Sequence, residues 1–149
     1  MTKHTKPSNP KDRLGILKLA MSCLSWPVLG EMALGMFEGA RKYGKHNYRV
    51  IGVRGSVYFD AAMRHMMAWQ EGEDIDPASG LHHITKALTS LMVMRDAMIY
   101  KKFVDDRPPA MPDGWQNAMN AHIKKLIVKY PNAVEPYTEL KKGDDRIKE

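Results

Sequence analysis

Glu31, Glu38 and Lys42 are spaced seven and four residues apart, which on a helix brings all three within about 40° of one another. Two carboxylates so placed either face a metal ion together or belong to a solvated stripe. On such a stripe Glu38 and Lys42 form an i,i+4 ion pair worth about 0.3 to 0.5 kcal/mol, and spacing alone favours this reading. Further along, Glu71-Gly-Glu-Asp-Ile-Asp76 crowds four carboxylates into six residues, shortly before His82 and His83. These acids repel unless something cationic neutralises them. A hard divalent ion such as Mg²⁺ or Mn²⁺ does so with oxygen ligands and bridges to phosphates; solvent, salt and basic residues elsewhere are the other solution. Lys42, Lys45, Arg49 and Arg54 surround a glycine-containing connection, where they can clamp phosphate oxygens, arginine in bidentate fashion. Asp60 and Arg64 are again i,i+4, and His65 stands at the edge of an apolar stripe near Trp69. A surface salt bridge and a packed histidine are the ordinary readings there. No Gly-x-x-x-x-Gly-Lys-Ser/Thr or Gly-x-Gly-x-x-Gly pattern occurs, and a lone cysteine, Cys23, supplies no zinc framework.

Four amphipathic helices would have to position these groups. Leu29, Met32, Ala33, Met36, Phe37 and Ala40 recur at helical spacing after Pro27, and Gly44 ends the run, giving a helix over about 28–43. Residues 44–57 carry three glycines and read as a loop, with Arg49 to Val53 briefly extended. Phe59, Ala62, Met63, Met66 and Trp69 mark a second helix, capped by Ser56 and ending near Gly72. Ser79 caps a third, with Ile84, Ala87, Leu88, Leu91, Met94 and Met98 on its stripe, and Asp113 caps a fourth carrying Trp115, Met119, Ile123, Leu126 and Ile127. No alternating strand pattern and no repeat competes with them. The expectation is an all-α bundle of four main helices over residues 14–130, between a polar arm at 1–13 and a polar tail at 131–149. The twelve methionines fill gaps in its core.

The chain has 149 residues, 44% of them hydrophobic and 27% charged, which fits one globular unit and excludes general disorder. One cysteine favours a reducing compartment, the cytoplasm, and the sequence predicts neither a membrane span nor a signal peptide. The net charge is +6. Residues 1–50 carry nine Lys or Arg against three acids and residues 51–120 seven against nine, so the excess is not gathered into one basic stripe. That distribution suits small phosphorylated ligands and disfavours nucleic acid.

Gly39-Ala-Arg-Lys-Tyr-Gly-Lys-His-Asn-Tyr-Arg49, Asp60-Ala-Ala-Met-Arg-His65, Trp69-Gln-Glu-Gly-Glu-Asp-Ile-Asp-Pro-Ala-Ser-Gly80 and His83, taken in order, resemble the tailed-phage dATP/dGTP diphosphohydrolase family. Asn9-Pro10-Lys11-Asp12 and Asp105-Asp106-Arg107-Pro108 extend the resemblance over about residues 10–109. The chain departs from the family pattern in having Tyr48 where tryptophan is common and Lys86 where a second histidine is expected. Its acids Glu31 and Glu38 also differ from the Glu-x-x-Glu pair of MazG-type pyrophosphohydrolases.

The resemblance implies a MazG-like all-α enzyme that hydrolyses a purine deoxynucleoside triphosphate, dGTP or dATP, to the monophosphate and pyrophosphate. It would act in the cytoplasm of an infected bacterium, with dGMP as a possible supply for 2-aminoadenine nucleotide synthesis. In that reading Glu31, Glu38, Glu73 and Asp76 hold divalent metal, Mg²⁺, Mn²⁺ or Co²⁺. Lys42, Arg49 and Arg64 hold phosphate oxygens, while Tyr43, Asn47 and Trp69 recognise the base. Asp60, His65 or His83 orients the water or takes its proton. Wide apolar stripes on a short chain imply a homo-oligomer, a dimer or tetramer. The rival reading is a basic helical protein, without catalysis, that binds nucleic acid or a host partner. An HD-type phosphohydrolase needs adjacent His-Asp, which the sequence lacks.

Overall fold

The structure, a computed structural model, describes residues 9–137. The masked ends leave most of the expected arm, and the tail beyond Tyr137, outside the described residues. The chain is all-α: α1 (Pro10–Gly15), α2 (Trp26–Tyr43), α3 (Asn47–Val50), α4 (Gly55–Gln70), α5 (His83–Ile99) and α6 (Trp115–Lys129), with one 3₁₀ turn at Met21–Cys23 and two strands of two residues each, β1 (Val53–Arg54) and β2 (Phe103–Val104). It forms two compact units that part between Arg107 and Pro108. Among the described residues no helix is long and apolar enough to cross a membrane.

In the first unit β1 precedes α4, β2 follows α5, and the two strands pair in parallel, Val53 opposite Phe103 and Arg54 opposite Val104. That pairing fastens the start of α4 to the end of α5, so the two helices run antiparallel. The clasp is tight. Gly52 has φ +89 and a Cβ there would lie 2.6 Å from the Lys102 carbonyl oxygen, so only glycine fits. Asp106 closes it from below, accepting from the Ser56 amide at 2.8 Å and the Ser56 hydroxyl at 2.5 Å. Ser56 therefore spends its side chain on Asp106, and the residue in the N-cap position of α4 is Arg54. Tyr48, Val53 and Ala97 form the buried core beside the clasp, with Met36, Tyr58, Val93 and Phe103 packed against it.

Helix α2 docks on α5 through the face that spacing assigned to solvent. Thr85 Oγ1 donates to Glu31 Oε2 at 2.6 Å, the Lys86 ammonium pairs with Glu38, and between them a Cβ on Gly35 would come within 2.8 Å of Thr89 Cγ2. Glu31, Gly35, Glu38 and Lys42 thus form one helical ridge that meets Thr85, Lys86 and Thr89. Glu31 and Lys42 stay exposed, while Gly35 is buried and Glu38 half-buried, where α5 offers matching donors. The apolar residues Leu34 and Phe37 point the other way, Phe37 being 64% exposed.

Three local features differ from expectation. α1 forms where an irregular arm was read: Asn9 caps it by accepting from the Lys11 amide, and Pro10 occupies its first turn, where a proline starts a helix. Residues 47–50 turn once as α3 before the brief strand at 53–54. The cap of α5 is His82, whose Nδ1 accepts from the Ile84 amide at 3.1 Å, because the Ser79 hydroxyl donates to Asp76. The second unit holds α6, which begins after a left-handed Gly114 with no side-chain cap, Asp113 taking no part. All of α6 is exposed.

The α2–α5 crossing gives a paired test. Gly35→Val should lower stability by about 1–3 kcal/mol through overpacking against Thr89. Gly30→Ala, with nothing near its Cβ, should raise it by about 0.5–1 kcal/mol. Urea unfolding followed by circular dichroism measures both.

Candidate functional site

α2 and α4 both lean on α5, and a cavity of about 990 Å³ opens between them. Arg41, Lys42, Lys45, Arg64 and Lys86 contribute five permanently charged cations to its wall, against one carboxylate, Glu38. Tyr43, Asn47, Tyr48 and Tyr58 supply aromatic and amide surface, and His46 and His65 complete the titratable lining. A surplus of cations in a concave, partly desolvated space is the electrostatics of a polyanion site.

Of the residues singled out by sequence, Glu38, Lys42, Tyr43, Asn47, Arg64 and His65 line this cavity together. Glu31, Arg49, Asp60, Trp69, Glu73, Asp76 and His83 are not on its wall. Asp60 and Trp69 are exposed on α4. Arg49 has spent its fork: Nε and Nη2 donate to the two Asp96 oxygens at 2.7 and 2.8 Å, and the guanidinium lies 4.3 Å over the Tyr100 ring. That arrangement ties α3 to α5 and leaves Arg49 a structural cation. Asp96 and Lys86 had no local pattern to announce them, since their partners lie 47 and 48 residues away.

Glu38 carries both lysines. One of its oxygens pairs with Lys42 and the other with Lys86, and these two partners hold its carboxyl below the usual carboxylate range. Lys86 is only 17% exposed and Glu38 21%, so each limits the other's cost of leaving water.

The loop between α4 and α5 folds on Asp76. Its oxygens accept from the Ala78 amide at 3.2 Å and the Ser79 hydroxyl at 2.6 Å. Ser79 and Ala78 keep Asp76 ionised below its ordinary range, overcoming slight burial, and the positive charge of Lys86 adds to this. The same loop delivers Glu73 to the buried His83, whose Nε2 lies 3.3 Å from Glu73 Oε2 in too bent a geometry for a hydrogen bond. On its other side His83 Nδ1 is 2.8 Å from His65 Nδ1.

Two imidazole Nδ1 atoms at that distance share one proton, so one ring donates and the other accepts. A carboxylate beside His83 Nε2 attracts a proton there and repels a lone pair. His83 is therefore Nε2-protonated and accepts at Nδ1, while His65 donates from Nδ1 and keeps its lone pair on Nε2. Burial and the neighbouring His83 hold His65 below the ordinary imidazole range, so its ring is neutral at pH 7. A neutral ring on the cavity wall with a directed lone pair is a competent proton acceptor.

Among the described residues no three His, Cys, Asp or Glu side chains gather into a metal-holding group. Each of the four expected metal ligands has another partner: Glu38 two lysines, Glu31 Thr85, Glu73 the neighbouring His83, and Asp76 its own loop.

The Arg49–Asp96 pair makes a pH prediction. Its guanidinium holds the Asp96 carboxyl below the ordinary 3.8, so the folded state binds that proton less readily than the unfolded chain. The stabilisation is complete above the ordinary carboxylate range and is lost as pH falls through the depressed value. The melting temperature of the wild type should exceed that of Asp96→Asn at pH 7, and the gap should close on acidification towards pH 3.

With this geometry in place, comparison with known proteins is direct. The family model described as dATP/dGTP diphosphohydrolase, N-terminal, matches residues 8–107. Over 77 residues the chain is 31% identical to a dATP/dGTP diphosphohydrolase of Salmonella phage PMBT28, a match covering 52% of this chain and 26% of that protein. No solved structure matches.

Proposed function

The chain belongs to the dATP/dGTP diphosphohydrolase N-terminal family, and from that premise we propose that its first unit hydrolyses purine deoxynucleoside triphosphates, dGTP or dATP, to the monophosphate and pyrophosphate. The observation that carries this reading is the cavity itself, five permanent cations against one carboxylate, with tyrosine and asparagine beside them. The matched stretch covers about a quarter of the length of that relative, so the activity is proposed for this unit and not borrowed whole.

In the proposed reaction Lys42, Arg64 and Lys86 hold the triphosphate and offset the charge that builds on the leaving pyrophosphate. His65 accepts at Nε2 the proton of the water that attacks the α-phosphorus. The bond to the bridging oxygen breaks, and pyrophosphate leaves with that electron pair. His83 positions His65 by receiving its Nδ1 hydrogen, and Glu73 fixes the tautomer of His83. Tyr43 and Asn47 present a stacking face and an amide to the purine. Arg49, committed to Asp96, holds no phosphate in this scheme, and Trp69 and Asp60 stand outside it.

A divalent cation, Mg²⁺, Mn²⁺ or Co²⁺, belongs to the proposal. Among the described residues Glu31, Glu73 and Asp76 are carboxylates with no ammonium or guanidinium in ion-pair contact, and their oxygens suit a hard ion. Such an ion is commonly held by one or two carboxylates together with substrate phosphates, so a preformed cage is not required. When bound it supplies neutralisation of the triphosphate and a more acidic water. A dGMP product would suit a pathway making 2-aminoadenine nucleotides.

The protein should also self-associate. Phe59, Met63 and Met67 form one stripe along α4, all exposed, with Phe59 at 55%, and the largest buried side chain in the core is a tyrosine. An apolar stripe of that kind marks a partner surface, and a second copy is the partner proposed. Light scattering on the full chain should give a dimer or tetramer, and Phe59→Glu with Met63→Glu should give a monomer.

Incubation with each deoxynucleoside triphosphate and Mg²⁺, Mn²⁺ or Co²⁺, followed by separation of products, tests the reaction. Monophosphate and pyrophosphate are expected. Arg64→Ala should lower kcat/KM by about 10²–10³-fold, and Glu73→Ala or Asp76→Ala should abolish turnover with helix content unchanged. Tripolyphosphate as product, or no turnover alongside salt-sensitive DNA binding, would replace this reading.

A further inference from the structure

Glu38 sits where a polyphosphate would have to lie. It is the one acid among the residues lining the cavity, it lies on the wall beside Arg64 and His65, and both of its oxygens are engaged by lysine ammonium groups. Lys42 is the more open of the two, its side chain being 54% exposed, so water can solvate its charge if it leaves Glu38. Lys86 is different: it is largely enclosed on α5, and an ammonium that enclosed needs a counter-charge at all times.

We propose that Glu38 is a built-in stand-in for phosphate: it holds Lys42 and Lys86 in the empty cavity, and an entering polyphosphate chain takes both ammonium groups from it. Three consequences follow from charge alone. Lys86, in the first turn of α5, becomes a direct phosphate ligand. The two lysines are preorganised before any ligand arrives, which lowers the cost of ordering two long side chains on binding. Glu38 competes with the ligand, so the affinity for free polyanion is weaker than five cations would give, and simple anions such as single phosphates are displaced more easily than chains that reach both lysines.

The inference uses the same cavity as the hydrolytic reading but requires neither turnover nor metal, so the two can fail separately. The probe is inorganic tripolyphosphate, added to the full chain in EDTA at low ionic strength and followed by calorimetry. Glu38→Gln should bind it about tenfold more tightly than the wild type, and Lys86→Met about tenfold more weakly. In the Lys86→Met background, Glu38→Gln should recover only part of its gain, since one of the two partners it releases is missing. Asp105→Asn, which removes a carboxylate paired with Arg107 away from the cavity, should leave binding unchanged, separating a local effect from net charge. On the unaltered protein, the ammonium nitrogen resonances of Lys42 and Lys86 should both shift on addition of tripolyphosphate. Glu38→Gln binding no more tightly than the wild type, or resonances of the two lysines that do not move, overturns the proposal whatever the turnover assay shows.

Discussion

A largely enclosed ammonium group with one carboxylate to neutralise it governs how α2 can sit on α5. Lys86 projects from the helix that both α2 and α4 pack against, and without Glu38 its charge would be stranded in a largely enclosed place. Removing one member of such a pair leaves the other uncompensated, which is far more costly than the pair itself is stabilising. That asymmetry fixes the register of α2: Glu38 must face Lys86, Gly35 then meets Thr89, and Glu31 reaches Thr85. The contact is one of polar complementarity, with a glycine allowing the backbones to approach. The cavity lies beside this contact, lined by residues of α2, α4 and α5.

This constraint explains why the apolar residues of α2 and α4 end up outside. A helix has one face to give to its neighbour, and α2 gives the ridge of Glu31, Gly35 and Glu38. Leu34 and Phe37 then have no partner within the unit, as Phe59, Met63 and Met67 have none on α4. Beyond His83, the buried positions of α5 are filled by Thr85, Ala87, Thr89 and Ala97, small side chains that let it be covered on two sides but bury little apolar area. A core this slight is the physical reason for proposing self-association through the exposed stripes, which would add buried apolar area.

What the sequence made legible follows the same division. The helices α2, α4, α5 and α6 were visible because 3.6-residue periodicity is a local property, and their ends at Gly44 and Gly72 because those residues adopt positive φ. The order and identity of the motifs were also enough for the family. The side chains that build the site were harder. Lys42, Arg64 and His65 were visible as charged or titratable residues at helical spacing, yet Lys86 was not, since nothing within four residues marks it. Arg49 looked like a phosphate ligand from its neighbours in sequence, and only Asp96, brought by α5, shows where its charge goes. The polar stripe of α2 was seen correctly as a stripe and its Glu38–Lys42 pair forms, with Glu31 and Lys42 exposed, but that Gly35 and Glu38 meet α5 was not visible, because periodicity tells which residues share a face and not what that face meets.

The histidine pair shows how far a single non-local contact can carry the chemistry. His65 on α4 and His83 at the start of α5 are 18 residues apart and joined through Nδ1 on both rings. Such a bond is possible only when one ring is the donor and the other the acceptor. Glu73 breaks the symmetry. Its carboxylate, 3.3 Å from His83 Nε2, favours a proton there, which leaves His83 Nδ1 to accept from His65. Loop 71–82 is thus more than a connection between helices: Asp76 pins its fold, and Glu73, carried on that fold, sets the protonation of a ring two contacts away.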